Sequence, residues 1–344
     1  MCSLPRNGII AGGNWIVDYI KLIDTYPSEN ALANILGEKM DTGGAPCNVL
    51  KALRKMQVDF PLEGIGLVGD DEAGRELLRV CENYGIESQQ IRTLHGKGTS
   101  YTDVMTVAST GKRTFFHHRG ASAHLDISDF DFSTTRAKFF HLGYLLLLDQ
   151  LDHVDETGRS GASRVLEAAQ QNGLITSVDL VSEQSDRYMS IVASSLNFID
   201  ILFLNEFEVE RLTGVNLLNQ NGNVVLSQAQ EAARRILQKG VRRWVIIHFP
   251  LGALAFNPHG EYWLQHSIHV DEVRGTVGAG DAFAAGVLGA LHNDWPIQES
   301  LQSGVCVAAT SLRAAGASEG IMPWGDCLDF GKSQGYHENS IIKT

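Results

Sequence analysis

The sequence has no C-x-x-C pair, no long apolar run and a deficit of basic residues, and each absence closes off a class of function. Its five cysteines, Cys2, Cys47, Cys81, Cys306 and Cys327, are widely scattered and odd in number. That pattern fits neither a disulfide framework nor a zinc site, and reads as the reduced thiols of a cytoplasmic protein. The longest apolar stretch, residues 139–148, is interrupted by His141 and is far too short to cross a bilayer. The opening residues, MCSLPRNGIIAGG, lack a basic segment followed by a sustained apolar one, so no signal peptide is expected. Lys and Arg together number 28 against 40 Asp and Glu, a formal charge of −12. Nucleic acid and anionic membranes both require basic surface, so neither is an expected partner. Repeats and low-complexity linkers are also missing, and residues 1–344 read as one α/β unit with an insertion.

What is present is an alternation of apolar, strand-length runs with amphipathic helical stretches. Runs at 9–11, 62–68, 138–142, 174–178, 201–204 and 244–247 read as strands, and 46–56, 72–84, 158–171 and 227–238 read as helices. Near-continuous apolar strands interleaved with helices predict a mostly parallel sheet covered on both faces, a Rossmann-like three-layer sandwich. Two segments break the rhythm. Residues 15–42 carry no long helical pattern, and 97–120 hold two β-rich runs joined by Ser109-Thr110-Gly111-Lys112, a hairpin signal. Together they predict a small antiparallel flap beside the main sheet. The polar stretch from position 325 onward is expected to be loosely held.

The strongest chemical motif is Thr276-Val277-Gly278-Ala279-Gly280-Asp281, leading into the small-residue helix AFAAGVLGALH. Gly278, Ala279 and Gly280 fall at that helix's N-terminus, where backbone N–H groups lack intrahelical partners and the helix dipole is positive. Such a terminus cradles a phosphate. A carboxylate beside the cradle, Asp281, can take the proton of an attacking hydroxyl during phosphoryl transfer. The plainer reading makes Asp281 a helix cap.

Other polar groups follow predicted strands, where open α/β sheets place their ligands. Asp18 and Asn48, with the turn Gly43-Gly44, are candidates for holding substrate hydroxyls. Asn205 and Glu208 are candidates for organising magnesium and phosphate. Each has a plainer alternative: a turn for Asp18 and for Gly43-Gly44, an N-cap for Asn205.

In order and content, Asp18, G-G-A-P-C-N at 43–48, V-G-D-D-E-A-G at 68–74, R-G-A-S-A at 119–123, N-x-x-E at 205–208 and G-A-G-D at 278–281 resemble the ribokinase-like (PfkB) carbohydrate kinases, over about residues 8–323. The G-G-A-P-C-N segment is nearest the fructokinase-like branch. The resemblance implies a Rossmann-like core with a β-sheet lid and ATP-dependent phosphorylation of a fructose-like or related sugar. By the same resemblance Asp281 is the general base and 278–280 the anion hole. Asp18, Gly43, Gly44 and Asn48 hold the sugar. Asn205, Glu208 and Gly252 serve the nucleotide, with Glu208 acting on Mg2+ indirectly. Many family members dimerise through the lid, so a homodimer is implied. A nucleoside kinase, or a non-catalytic sugar- or nucleotide-binding relative, are the alternative readings.

The chain departs from the family in two places. Gly275 stands where an aspartate helps bind a monovalent cation, which puts potassium activation in question. The phosphate loop T-x-G-x-x-G is replaced by I-H-F-P-L-G at 247–252, which keeps only Gly252. The G-x-G-x-x-G at 64–69 reads as strand, not as a dinucleotide fingerprint, because the helix begins only after Asp70. His117 and His118 point to opposite faces of an extended run, so at most one meets a substrate, and solvated or structural roles are favoured. His248 reads as a core-edge histidine. Trp15 stacks on a sugar or covers the core. Asp179 and Glu183 are further candidates near a strand end.

Overall fold

The computed structural model describes residues 5–184, 187–338 and 341–342. Its main sheet has nine strands, in the spatial order Tyr262–His266, Gly252–Phe256, Trp244–Phe249, Ile201–Asn205, Ile175–Leu180, Phe139–Leu145, Ile9–Asn14, Leu62–Gly69 and Glu87–Leu94. The last seven are mutually parallel, and the first two add an antiparallel edge. The central strand Ile9–Asn14 is entirely buried. Its side chains alternate between two apolar layers, Ile10 in one and Ile9 with Ala11 in the other. Helices Gly161–Gln171 and Leu226–Leu237 supply the first layer. Helices Ala45–Lys55, Ala279–His292 and Ile297–Ser311 supply the second. This is the three-layer architecture that the alternating pattern predicts.

The small residues of Ala279–His292 have a packing reason. A Cβ on Gly286 would lie 2.8 Å from the Gly304 Cα of the adjoining helix, and a Cβ on Gly304 would meet Phe283 at 2.7 Å. Larger residues would push the two helices apart and misplace the N-terminus that carries Asp281.

The rhythm-breaking segments form a second sheet, Ile35–Gly43, Ile16–Ile23, Ser100–Val107 and Arg113–His118 in spatial order. Each hairpin is antiparallel, and the two join through a parallel pair between Ile16–Ile23 and Ser100–Val107. The strand Ile16–Ile23 follows Ile9–Asn14 after a single residue, Trp15, which links the two sheets and is fully buried. Its indole N–H donates to the Ile65 carbonyl at 2.8 Å. Trp15 is therefore core, not a sugar platform.

The G-x-G-x-x-G at 64–69 lies within the strand Leu62–Gly69, with the helix Glu72–Asn83 capped by Asp71. One expectation fails: the stretch from 325 onward is not loose at its start. Residues Trp324–Gln334 form a helix, buried through Cys327 and Gly331, and Trp324 stacks on Trp295 with centroids 4.9 Å apart. Its apolar residues are few but meet the helix Ile297–Ser311 at helical spacing, which polar composition alone conceals. Cys47, Cys81, Cys306 and Cys327 are buried free thiols, while Cys2 lies outside the described residues. Among the described residues no helix is long and apolar enough to cross a membrane.

Candidate active site

The strand order reverses between Ile9–Asn14 and Phe139–Leu145: the chain runs from the former to strands on one side, then crosses to the latter on the other. At such a switch point the loops diverge and leave a crevice at the carboxyl ends of the strands. Here it holds a cleft of about 760 Å³, roofed by the small sheet and lined among others by Asp18, Asn48, Tyr144, Asp179, Asn205 and Asp281.

Asp281 stands at the third helical position, after the N-cap Gly278, yet makes no capping bond. The Asn48 amide donates to its Oδ2 at 2.9 Å, and the Tyr144 hydroxyl donates to both oxygens at 2.9 and 2.8 Å. The carboxylate thus turns away from its own backbone into the cleft, which answers the plainer reading. Burial raises its pKa to about 6, although both hydrogen bonds oppose that rise. Gly278 has φ 70°, and a Cβ there would lie 2.5 Å from the Ala317 Cβ. A side chain is excluded on both counts, so no Cβ at 278 screens the helix N-terminus from the cleft, where the Ala279 N–H makes a long bond of 3.4 Å to the Thr276 carbonyl.

Asp18 lies mid-strand, not in a turn, and lines the cleft. Burial, then the neighbouring Asp41 carboxylate, raise its pKa to about 7. Gly43 pairs with Ile16 and makes room for Asp18, since a Cβ on it would sit 2.3 Å from the Asp18 Oδ2. Gly44 is the N-cap of the helix that carries Asn48, and it lines the cleft. These residues gather at the end of the cleft near Ile9–Asn14.

Asn205 ends the strand Ile201–Asn205, three strand spacings away, about 14 Å across the sheet. Asn205 and Glu208 close a capping box: the Glu208 N–H donates to Asn205 Oδ1 at 2.9 Å, and the Asn205 N–H donates to Glu208 Oε2 at 2.9 Å. Oε1 accepts from the Asn205 amide and the Ser182 hydroxyl, both at 2.9 Å. Burial raises the Glu208 pKa to about 7. Asp179 lines the wall between the two ends, its pKa raised by burial and by the Glu208 and Asp281 carboxylates.

Gly252 is not in the cleft lining. It opens the strand Gly252–Phe256, pairs with Phe249 and presses against the Gln265 carbonyl, 2.5 Å from where a Cβ would be. His248, assigned from sequence to the core edge, is half-buried and reaches the cleft, 3.3 Å from where a Gly280 Cβ would stand. Burial lowers its pKa to about 4, so it is a neutral imidazole there. His117 also lines the cleft, 3.0 Å from the Thr102 hydroxyl, while His118 stacks on Tyr101 outside. Only one of the pair faces the cleft, as alternation requires, and His117 is half-buried there. Glu183 lines the cleft as well.

Sequence reasoning missed Tyr144 and Arg113. Tyr144 lies in an apolar run that reads as core. Arg113 belongs to the hairpin, and its guanidinium donates to the Thr276 hydroxyl at 3.2 Å, bridging the small sheet to the loop before the anion cradle.

A buried carboxylate at a helix N-terminus, polar groups on one side of it and a capping box on the other border one cleft. The pfkB family carbohydrate kinase model matches residues 16–324. The chain belongs to the pfkB family of carbohydrate kinases. Among pfkB-type relatives, the probable fructokinase-6, chloroplastic, of Arabidopsis thaliana is 27% identical over 314 residues, covering 86% of this chain and 76% of that protein. The ATP-dependent ribose-1-phosphate kinase of Halopiger xanaduensis is 27% identical over 309 residues, covering 89% and 91%. The pfkB fold is matched by Arabidopsis thaliana ribokinase, solved with ribose and ATP, at TM-score 0.77 and 20% identity over 96% of this chain and 99% of that one. Giardia lamblia ribokinase matches at TM-score 0.79 and 18% identity over 95% and 99%.

Proposed function

We propose that this carbohydrate kinase transfers the γ-phosphoryl group of ATP to a hydroxyl of a monosaccharide, with Asp281 as the general base. The observation that carries this reading is the buried Asp281 carboxylate, held by Asn48 and Tyr144 at the open N-terminus of Ala279–His292. The acceptor hydroxyl gives its proton to Asp281 as its oxygen bonds to the γ-phosphorus. The bond to the bridging oxygen breaks, ADP leaves, and the amides at 278–280 take up the charge on the phosphoryl oxygens. Asp18 and Asn48 hold the sugar's other hydroxyls. Asn205 and Glu208 support the nucleotide at the far end.

The residues fit magnesium that arrives with the nucleotide. Both Glu208 oxygens already accept hydrogen bonds from protein donors. Among the described residues no group of three or more His, Cys, Asp or Glu could hold a metal by itself. Bound Mg2+ would neutralise charge on the ATP phosphates, with Glu208 and Asp179 acting on it through water. The small sheet serves as a lid that excludes water. It leaves Leu22, Ile35, Leu36, Met40 and Phe116 exposed, which supports pairing of two copies through the lid.

Ile16, Val104 and Phe115 give the cleft an apolar wall, the observation that favours a nucleoside acceptor as the second reading. The test is ADP release from ATP with fructose, ribose, 2-keto-3-deoxygluconate, adenosine or inosine as acceptor. Release dependent on a sugar supports the first reading, and release dependent only on a nucleoside supports the second. No acceptor-dependent release from any of them defeats both.

A further inference from the structure

The transfer reaction described above gives Tyr144 no part, although it is the group most intimately bound to the base. Its hydroxyl reaches both oxygens of Asp281, at 2.9 and 2.8 Å, and the Asn48 amide takes a further position on Oδ2 at 2.9 Å. An ionised carboxylate offers about four acceptor positions. The protein itself therefore supplies Asp281 with a hydroxyl, the same donor type that an acceptor alcohol would bring.

The arrangement is held from behind. The Tyr144 N–H donates to the buried Asn14 side chain at 2.9 Å, anchoring the residue where the two central strands meet. The groups facing the pair are Asp18 from the small sheet, Asp179 from the end of its strand and His248 beside Gly280, with Lys51 standing near Asp18. The nearest of these are acidic. Burial and the Asp281, Asp179 and Asp18 carboxylates hold the phenol neutral, a donor at any working pH.

We propose that Tyr144 is a positioning residue that stands in for the acceptor hydroxyl at Asp281. It aims the base at the anion cradle and denies it to water until a sugar takes over one of the two bonds. The proposal rests on the reading of Asp281 as the general base. The reaction that Tyr144 suppresses is hydrolysis. In it a water oxygen bonds to the γ-phosphorus, the bond to the bridging oxygen breaks and its electron pair leaves with ADP. The water's proton passes to Asp281, and inorganic phosphate is released. With the sugar bound, its hydroxyl occupies one carboxylate oxygen while Tyr144 stays on the other, so the base keeps its aim through the transfer.

The test is Tyr144→Phe, which keeps the ring and removes the donor, assayed for ADP and inorganic phosphate with ATP alone and with the acceptor that the wild-type enzyme uses. Acceptor-free hydrolysis is expected to rise at least about ten-fold relative to transfer, since a hydrogen bond to a charged group is worth that much. The acid limb of the kcat profile is expected to move up by about one pH unit, because the lost bond favoured the ionised base. The double variant Tyr144→Phe/Asp281→Asn is expected to lose the added hydrolysis. Unchanged hydrolysis together with an unmoved acid limb overturns the proposal, and so does added hydrolysis that persists in the double variant. If Tyr144→Phe does not fold, wild-type chain made with 3-fluorotyrosine, a stronger donor, is used instead. Its acid limb is expected to move down, and no movement overturns the proposal. Transfer activity surviving in Asp281→Asn alone would instead remove the base assignment on which all this rests.

Discussion

Asn48 and Asp281, 233 positions apart in sequence, meet at 2.9 Å through one amide-to-carboxylate hydrogen bond. That bond ties the helix bearing the proposed sugar contacts to the helix bearing the proposed base. Asp281→Asn keeps the shape of the side chain and removes its basicity. It is expected to cut kcat by about 10²–10⁴-fold, the usual share of a general base. Acceptor binding, measured by calorimetry, should survive.

The pH dependence follows from the same carboxylate. Burial raises the Asp281 pKa to about 6, and only the ionised form accepts a proton. Turnover is therefore expected to be level above about pH 7 and to fall as the pH drops through 6. A profile of kcat at saturating ATP and acceptor reads this limb. A limb near the usual carboxylate range, below pH 5, would contradict it.

Asp18 carries an opposing cost. Its pKa rises from 3.8 to about 7 on folding, so the folded state favours the protonated form. Its contribution to stability is most favourable below pH 3.8 and is lost as the pH rises toward 7. Asp18→Asn is expected to melt higher than the parent at pH 8, with the difference shrinking near pH 4. The same variant should raise the KM for the acceptor well above its effect on the KM for ATP. Thermal unfolding at the two pH values and initial rates check both halves.

At the nucleotide end, Asn205→Ala removes the side-chain acceptor of the capping box and takes one donor, the Asn205 amide, from Glu208 Oε1, while the backbone N–H of residue 205 stays on Oε2. Loss of an N-cap costs about 1 kcal/mol, visible as a lower melting temperature. We expect the KM for ATP to rise while the KM for the acceptor changes little.

Potassium is expected to have no effect on rate. A Cβ at Gly275 would lie 2.6 Å from the Ala314 carbonyl and 2.9 Å from that of Ala315, so the loop has closed over the place of a side chain. Initial rates in potassium and in tetramethylammonium chloride at equal ionic strength should coincide.

Much of the fold was legible because its signals are local. The strand Ile9–Asn14 and the helices Ala45–Lys55 and Glu72–Asn83 announce themselves by period and composition. The edge strand Glu87–Leu94 did not, since only Ile91 is buried in it and the remainder faces solvent at least in part. The order of Asp18, Asn48, Asn205, Glu208 and Asp281 pointed to one cleft, and the structure brings them there. Tyr144 could not be found by the same means. Its neighbours Leu142 and Leu145 are fully buried, and nothing in F-F-H-L-G-Y-L separates a ring that fills the core from one whose hydroxyl reaches a carboxylate. Gly252 is ambiguous for the converse reason: a glycine that lines a phosphate loop and one that lets two strands touch look alike in sequence.

The buried carboxylates of Asp179, Glu208 and Asp281, with Asp18 nearby, border one cavity, and burial raises the pKa of every one of them. The cleft is thus a store of electrostatic tension that a well-matched occupant relaxes. A ligand that donates hydroxyls or brings a cation to these groups should raise the melting temperature beyond what its contact area would give. A melting screen of sugars, nucleosides and Mg·ATP, read for the largest upward shift at pH 8 and a smaller one at pH 5, turns that tension into a way of identifying the acceptor before any turnover is seen.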